Sequence, residues 1–578
     1  MRRLGMLILL TTLLAACGGG PPAAPAATSA PAAASAPAAS VTEAPTSAPA
    51  PAASGGTLRI GRTAGPDSLN PGAGYLAEAF DIYDLVYDSL IYVNQKSQVE
   101  PLLATKFEPS ADGTTWSFTI REGVKWHDGQ PLTAEDVAFT YSMISGFEGF
   151  GFISSYTTRI TDVQAPSPTT VTITFDGPVV NTDERFGSVY ILPKHIWEQF
   201  ADEKAAVEFE NLEMIGSGPF KMAEYKQGEF TRLVANKEHF LSPPNIDEAI
   251  FRVYGSADAL IQALKVGEVD FVTDPAATAI RTLQADPIIE VAIGRSRRLT
   301  DIVFNVTEPA NCPPEVGKCT GHPALRDVRV RQALAHATEK QQLIDTVLLG
   351  LGEPGLSLVT PSQGAAYHAL LQDYAFDLAK ANAILDEAGY TDSDGDEVRE
   401  MPGDPSMPLS FRYSYPSDQN ADTGPRFFEV LRDSWKQAGV VITLTPLDAD
   451  ALTAACCPAF DFDVMNWGWY AGVDPGSLLN IVTTDEIGSG TSESGYSNPE
   501  YDKLFLDQGV TTDKEARIAI IKQMQEILMR DLPYIVPFYR QGTEAYRTDR
   551  FTGWNLDPDA ILYLANREQM TKIVAIGP

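Results

Sequence analysis

The residues with the means to do chemistry are few and scattered. Six histidines, His127, His195, His239, His322, His336 and His368, form neither an HExxH nor an HxxxH pair, so local sequence supplies no metal site. No GxSxG elbow and no P-loop is present. Gly216-Ser217-Gly218 lacks the lysine and spacing of a nucleotide loop and reads as a turn between lobes. His127-Asp128 has the residue types of an acid/base pair. It is followed by Gly129, however, and a tight turn needs that Asp and Gly for local hydrogen bonding and a permissive backbone, so the pair reads as structural. Asp392, Asp394 and Asp396 resemble part of a calcium loop, but the glycine precedes the third carboxylate and Gly403 stands where an EF-hand needs its bidentate glutamate. They read as a solvated acidic turn. With no nucleophile paired to a base, the expectation is a non-enzyme without catalytic residues, metal or cofactor.

Five cysteines are present. Cys312 and Cys319 bracket a short loop with Pro313, Pro314 and Gly317, which favours a local staple. Cys456 and Cys457 are adjacent and could bond to each other, pair with the other two, or stay reduced. None has CxxC spacing.

The elements that must position any site come next. The 578 residues exceed what one hydrophobic core usually organises, so at least two lobes are expected. A content of 44% hydrophobic and 21% charged residues fits a soluble globular body. The net charge of −33 repels phosphodiester backbones, which excludes non-specific nucleic-acid binding. Trp116, Phe118 and Ile120 alternate with polar residues as a half-buried strand. After the Asp128-Gly129 turn, Thr133 and Asp136 form a capping-box pattern that opens a helix with Val137, Tyr141 and Ile144 on one side. Asp377 caps a second helix with the stripe Leu378, Ala381, Ile384, Leu385 and Ala388, stopped by Gly389. Phe428, Leu431, Trp435 and Ala438 share the face of a third, Gly439 ends it, and Val440, Ile442 and Leu444 alternate as a strand. These stripes read as core, in an α/β body.

Arg2 and Arg3 precede the apolar run Leu4 to Leu14, the n- and h-regions of a secretion signal, too short for a stable membrane span. The run ends Leu14-Ala15-Ala16-Cys17, which resembles a bacterial lipoprotein signal with Cys17 as the lipidated residue. Residues 1–17 are therefore expected to be signal and lipobox. Residues 18–56 are almost entirely Pro, Ala, Ser, Thr and Gly and form a tether without a core. At about 3.1 Å per residue it could reach on the order of 100 Å.

The stretch Trp116 to Tyr141, WSFTIREGVKWHDGQPLTAEDVAFTY, resembles the signature of ABC-importer solute-binding proteins for peptides, nickel and related solutes, family 5. Further landmarks follow in the family's order: GTLRIG from Gly56, DSLNP from Asp67, GSGPFKM from Gly216, ALKVGEVDF from Ala263, DVRVRQALAHAT from Asp327, AKANAILDEAGY from Ala379, GWYAGVDP from Gly468 and DLPYIVPFYR from Asp531. The resemblance covers nearly all of the body. It implies a two-lobed periplasmic-binding-protein fold of the large, cluster C-like type, with the ligand in the cleft between lobes. Lobe I is expected over 57–303, with an inserted subdomain, lobe II over 304–537, and a return to lobe I over 538–578. The hinge crossings are expected at Phe304-Asn305 and Pro537-Phe538. The implied function is an extracytoplasmic binding lipoprotein at the outer face of the cytoplasmic membrane or in the periplasm. It would be a monomer that hands a ligand to permease subunits. A peptide is the default ligand, an oligosaccharide or a role as receptor for a membrane sensor the alternatives.

In resembling peptide binders two segments flank the ligand backbone as partner strands, and these correspond to Gly74, Tyr75 and Leu76 and to Trp467 through Gly472, including Trp469, Tyr470 and Ala471. Core packing and a cleft wall are both open to the aromatic residues. In the resembling dipeptide and oligopeptide binders an aspartate after the GW segment pairs with the ligand's α-ammonium. With Asp474-Pro475 aligned, Ala471 falls at that place, and Asp474 takes over only if its loop turns it inward. Free dipeptides are then expected to bind weakly.

Overall fold

The computed structural model describes residues 55–577, apart from 148, 201, 315–318, 418–423, 458, 490 and 559. The lipobox with Cys17 and the tether up to residue 54 lie outside the described residues. Among the described residues no helix is long and apolar enough to cross a membrane.

Local signals act where the sequence puts them. Strand Thr115–Ile120 pairs antiparallel with Ala104–Pro109 and Thr170–Phe175, and Ile160–Ser167 completes a four-stranded sheet. Helix Ala134–Gly146 opens with a capping box: Thr133 N donates to Asp136 Oδ2 at 2.8 Å, and the Thr133 side chain accepts from the first turn. Each such bond satisfies an amide that the helix itself leaves orphaned. Val137, Tyr141 and Ile144 are buried. Asp377 caps Leu378–Glu387 by accepting from Lys380 N at 2.9 Å, and Gly389 follows at φ +86°. Helix Gly424–Lys436 buries Phe428, Leu431 and Trp435. In the next strand Leu444 departs from expectation at 40% exposed, because that strand is the outer edge of its sheet.

An eleven-stranded mixed sheet carries the architecture. Its strands in chain order are β1 (Thr57–Arg62), β2 (Phe220–Lys226), β3 (Phe230–Ala235), β4 (Glu248–Val253), β5 (Phe271–Thr273), β6 (Ile289–Phe304), β7 (Gly352–Pro354), β8 (Ser410–Pro416), β9 (Val441–Leu447), β10 (Val464–Tyr470) and β11 (Tyr534–Arg547). Their spatial order is β9-β8-β10-β6-β11-β5-β1-β4-β3-β2, with β7 beside β11. Two large cores lie along it. The first contains Leu58, Tyr83, Trp126, Tyr141 and Trp197; the second contains Phe304, Leu334, Phe411, Trp435 and Met524. A smaller cluster packs Leu264 and Val272 under β5.

The long strands β6 and β11 pair antiparallel and pass together from one core to the other. Ala292 and Tyr546 belong to the first core, Leu299 and Tyr539 to the second, and the register breaks between Arg295 and Leu299. This corrects the expected crossings. Phe304, Asn305 and Phe538 are buried within the second lobe and Pro537 lies beside them, so the exchange of cores falls earlier on β6 and later on β11. Cys312 bonds to Cys319, and Cys456 to Cys457.

Candidate ligand site between the two cores

Strand β10 is the middle of a three-strand group only at its start. β8 pairs with Val464 and Met465 and then leaves, whereas β6 follows β10 through Tyr470. Among the described residues nothing pairs with the other edge of β10 beyond Met465. Ala471 N donates to Arg297 O at 2.7 Å, which sets the alternation. The main-chain groups of Trp467 and Trp469 face β6, and those of Gly468 and Tyr470 face the open edge. Trp467 and Trp469 are half-buried on the second core, so their indoles are at once core and wall. Tyr470 is 64% exposed, and Ala471 is fully buried.

The turn that follows β10 meets the first lobe. Asp474 N donates to Glu184 Oε1 at 2.9 Å, and a Cβ placed on Gly472 would lie 2.4 Å from that same oxygen. Glu184 is held there by its neighbours on helix Thr182–Gly187. Arg185 bonds Asn181 Oδ1 at 2.7 Å, Tyr156 O at 2.9 Å and Thr158 O at 2.8 Å, and the Phe186 ring packs 4.7 Å from Phe118. Burial and the nearby Asp474 carboxylate push the Glu184 carboxyl up to about 7, against the pull of the Asp474 amide and Arg297. Asp474 itself does not present its carboxylate outward: Arg517 holds it through two bonds, 2.5 and 2.8 Å, and Gly476 N donates to it at 2.8 Å. Its side chain is thus committed within the second lobe.

The first lobe carries further charged groups of its own. Burial raises Asp84 to about 6, and Tyr190 donates to its Oδ1 at 2.6 Å. Arg62 lies 2.6 Å from Asp81, which also accepts from Tyr563. Gly74, Tyr75 and Leu76 do not form a strand. They lead into helix Ala77–Val86 with the Tyr75 and Leu76 amides donating to Asp67 at 2.8 and 3.2 Å, so the pairing role implied for those amides is already filled. Both side chains are exposed. Gly74 is small for packing: a Cβ there would lie 2.3 Å from the Tyr83 hydroxyl.

The signature turn is structural. His127 Nδ1 accepts from Gly216 N at 3.2 Å, which leaves Nε2–H to donate to Gly218 O at 3.0 Å. Burial holds its pKa down to about 4, so the ring stays neutral. Gly218 N donates to Val86 O, and a Cβ on Gly216 would lie 1.9 Å from that oxygen. The Gly216–Gly218 turn therefore sits within the first lobe, correcting its expected place between lobes. Asp392, Asp394 and Asp396 gather with Glu400, their ligand atoms within 4.8 Å of one another. All four accept from the loop's own amides, for example Gly395 N to Asp392 and Ser393 N to Glu400. Sequence reasoning missed Glu184, Arg297 and Arg517, which no motif marks, and Glu400, four residues beyond Asp396.

The model for bacterial extracellular solute-binding proteins, family 5 Middle, matches residues 98–489. The oligopeptide-binding protein AppA of Bacillus subtilis (strain 168) is 27% identical over 516 residues, covering 88% of this chain and 90% of that protein. Its solved structure in complex with a nonapeptide superposes at a TM-score of 0.70, with 25% identity, covering 90% of this chain and 99% of the other. The ABC transporter substrate-binding protein CtaP of Listeria monocytogenes gives 0.77 at 24% identity, covering 91% of this chain and all of the other. The fold is that of two-lobed periplasmic solute-binding proteins.

Proposed function

The chain belongs to the bacterial extracellular solute-binding proteins of family 5, and from that premise we propose that it binds peptides outside the cytoplasm for an ABC importer. The observation that carries this reading is the open edge of β10. Main-chain donors and acceptors of Gly468 and Tyr470 face away from β6 beside two half-buried indoles, and the turn that follows meets the first-lobe carboxylate of Glu184. A peptide laid there as an added strand gains affinity from main-chain bonds that do not depend on its sequence, and its side chains alternate between the two faces. The AppA relative, solved with a nonapeptide, supports the ligand class.

Ligand contact with both lobes at once would stabilise the closed form, with bending at the β6–β11 passage near Arg295–Leu299. Lipidation of Cys17, the outer membrane face or periplasm as location, delivery to permease subunits and a monomeric state complete the proposal. Calorimetry tests it with three sets of ligands: dipeptides, peptides of five to nine residues as a mixture, and xylo-oligosaccharides. The longer peptides are expected to bind most tightly. Saturable oligosaccharide binding with no peptide heat overturns the ligand assignment, and submicromolar dipeptide binding overturns the reliance on main-chain pairing.

A further inference from the structure

Behind the β10 indoles lies a set of buried polar groups that the fold does not satisfy. Asp301 stands on β6 directly opposite Trp467 and is fully buried. Neither of its carboxylate oxygens has a hydrogen-bond partner among the described residues. Glu493 is 4% exposed, and Trp469 Nε1 donates to its Oε2 at 3.2 Å. Tyr413 on β8 and Tyr534 on β11 are buried with hydroxyls that also lack partners. Tyr534 shares the face of Asp301, because Val303 is paired with both Tyr534 and Met465, whereas Tyr413, paired with Val464, projects from the other face. Each isolated polar group of this kind is costly to bury, and an ionised carboxylate far more so, and a fold does not keep several together without something to meet them. No basic side chain of the described residues acts on either carboxyl. Burial raises both, Asp301 to about 7 and Glu493 well above its usual range.

Resting on the peptide reading above, we propose that this pair of buried carboxyls forms a side-chain subsite that takes a lysine or arginine of the bound peptide. Three observations fit that occupant. Asp301, Trp467 and Trp469 project from one face of the sheet, because residues paired across an antiparallel ladder share a face. A ligand strand on the open edge of β10 places alternate side chains on that face. From there to β6 is two strand spacings, about 10 Å, a gap that a four-carbon lysine stem and an aspartate side chain close between them. The occupant is a cation rather than an apolar group, since two carboxyls and no base are waiting for it.

The groups facing the carboxyl pair are the Tyr534 hydroxyl, the Trp469 indole and the backbone amides of Trp467 and Asp301, none of them charged at neutral pH. A cation that meets these carboxyls therefore drives out protons, and its binding strengthens as pH rises through about 7.

The test uses the full chain and a series of alanine-based heptapeptides, each with one lysine or, in its partner, one norleucine, titrated by calorimetry at pH 6 and pH 8. At one register position lysine is expected to bind at least tenfold more tightly than norleucine at pH 8, with a smaller ratio and greater proton release at pH 6. Glu493→Gln and Asp301→Asn, singly and together, bring that ratio toward one. If the norleucine peptides bind and no position prefers lysine in the unaltered protein, the subsite is refuted while the peptide reading stands. If no peptide in either series binds, the peptide reading fails and the subsite with it.

Discussion

Substituting Gly472 with alanine tests whether Glu184 joins the two lobes. Gly472 does not have a left-handed φ, so alanine is allowed by its backbone and the change is purely steric. The new methyl would sit 2.4 Å from Glu184 Oε1, about 1 Å inside ordinary contact. The carboxylate must swing away, and the bond it accepts from Asp474 N at 2.9 Å is lost. A hydrogen bond to a charged group is worth about 1.5–3 kcal/mol. The closed form should therefore be disfavoured roughly ten- to hundredfold relative to the open one. The experiment belongs at pH 8, where Glu184, raised to about 7, is ionised. Small-angle scattering reads the radius of gyration with and without a saturating peptide mixture, and calorimetry reads affinity. Gly472→Ala should weaken binding and enlarge the particle at equal ligand. The decisive comparison is with Glu184→Ala, which removes the obstructed oxygen, so that adding Gly472→Ala in that background costs little, within about 0.5 kcal/mol. An equal loss in both backgrounds would refute the claim that the two residues meet across the cleft.

Three further outcomes are expected. Glu544, raised by burial to about 8, and Glu184, raised to about 7, keep protons in the fold that the unfolded chain has already released. Stability should thus fall as pH rises from 6.5 to 8.5, by about 2–3 kcal/mol; His127, lowered to about 4, acts in the opposite direction and mostly below that window. Urea midpoints at the two pH values measure this, and Glu544→Gln should flatten the slope. Arg517→Met leaves the buried Asp474 carboxylate unpaired and should cost about 3–5 kcal/mol in urea unfolding, partly recovered by adding Asp474→Asn. Cys17→Ser should move the protein from the membrane fraction into the medium, and unchanged retention would remove the lipid-anchor assignment.

Much of the fold is legible in one dimension because its causes are local. Alternation at Trp116–Ile120, the Thr133–Asp136 capping box, and the stripes ended by Gly389 and Gly439 each depend on residues a few positions apart. The Cys312–Cys319 staple is readable for the same reason: a short loop leaves each cysteine near its partner. The order of motifs was enough to place the chain in its family. The site was not legible in this way. Glu184 meets the Gly472–Asp474 turn across nearly 300 positions, and nothing in the sequence around it distinguishes it from any surface glutamate. Asp474, in a turn, has both its oxygens claimed by Arg517 from the distant helix Lys514–Asp531. The hinge was misplaced for a related reason. The sequence near Phe304 and Phe538 marks where strands end, but which core a residue joins is decided by what packs against it from distant segments. Asp301 is the sharpest case. In sequence it is a polar residue in a strand, and only the stacking of β8, β10, β6 and β11 with the Glu493 loop turns it into a buried carboxyl with no partner. Local hydrogen bonding and periodicity are written in neighbouring residues; burial and the meeting of charges are properties of the assembled chain, and those decided where this protein can hold a ligand.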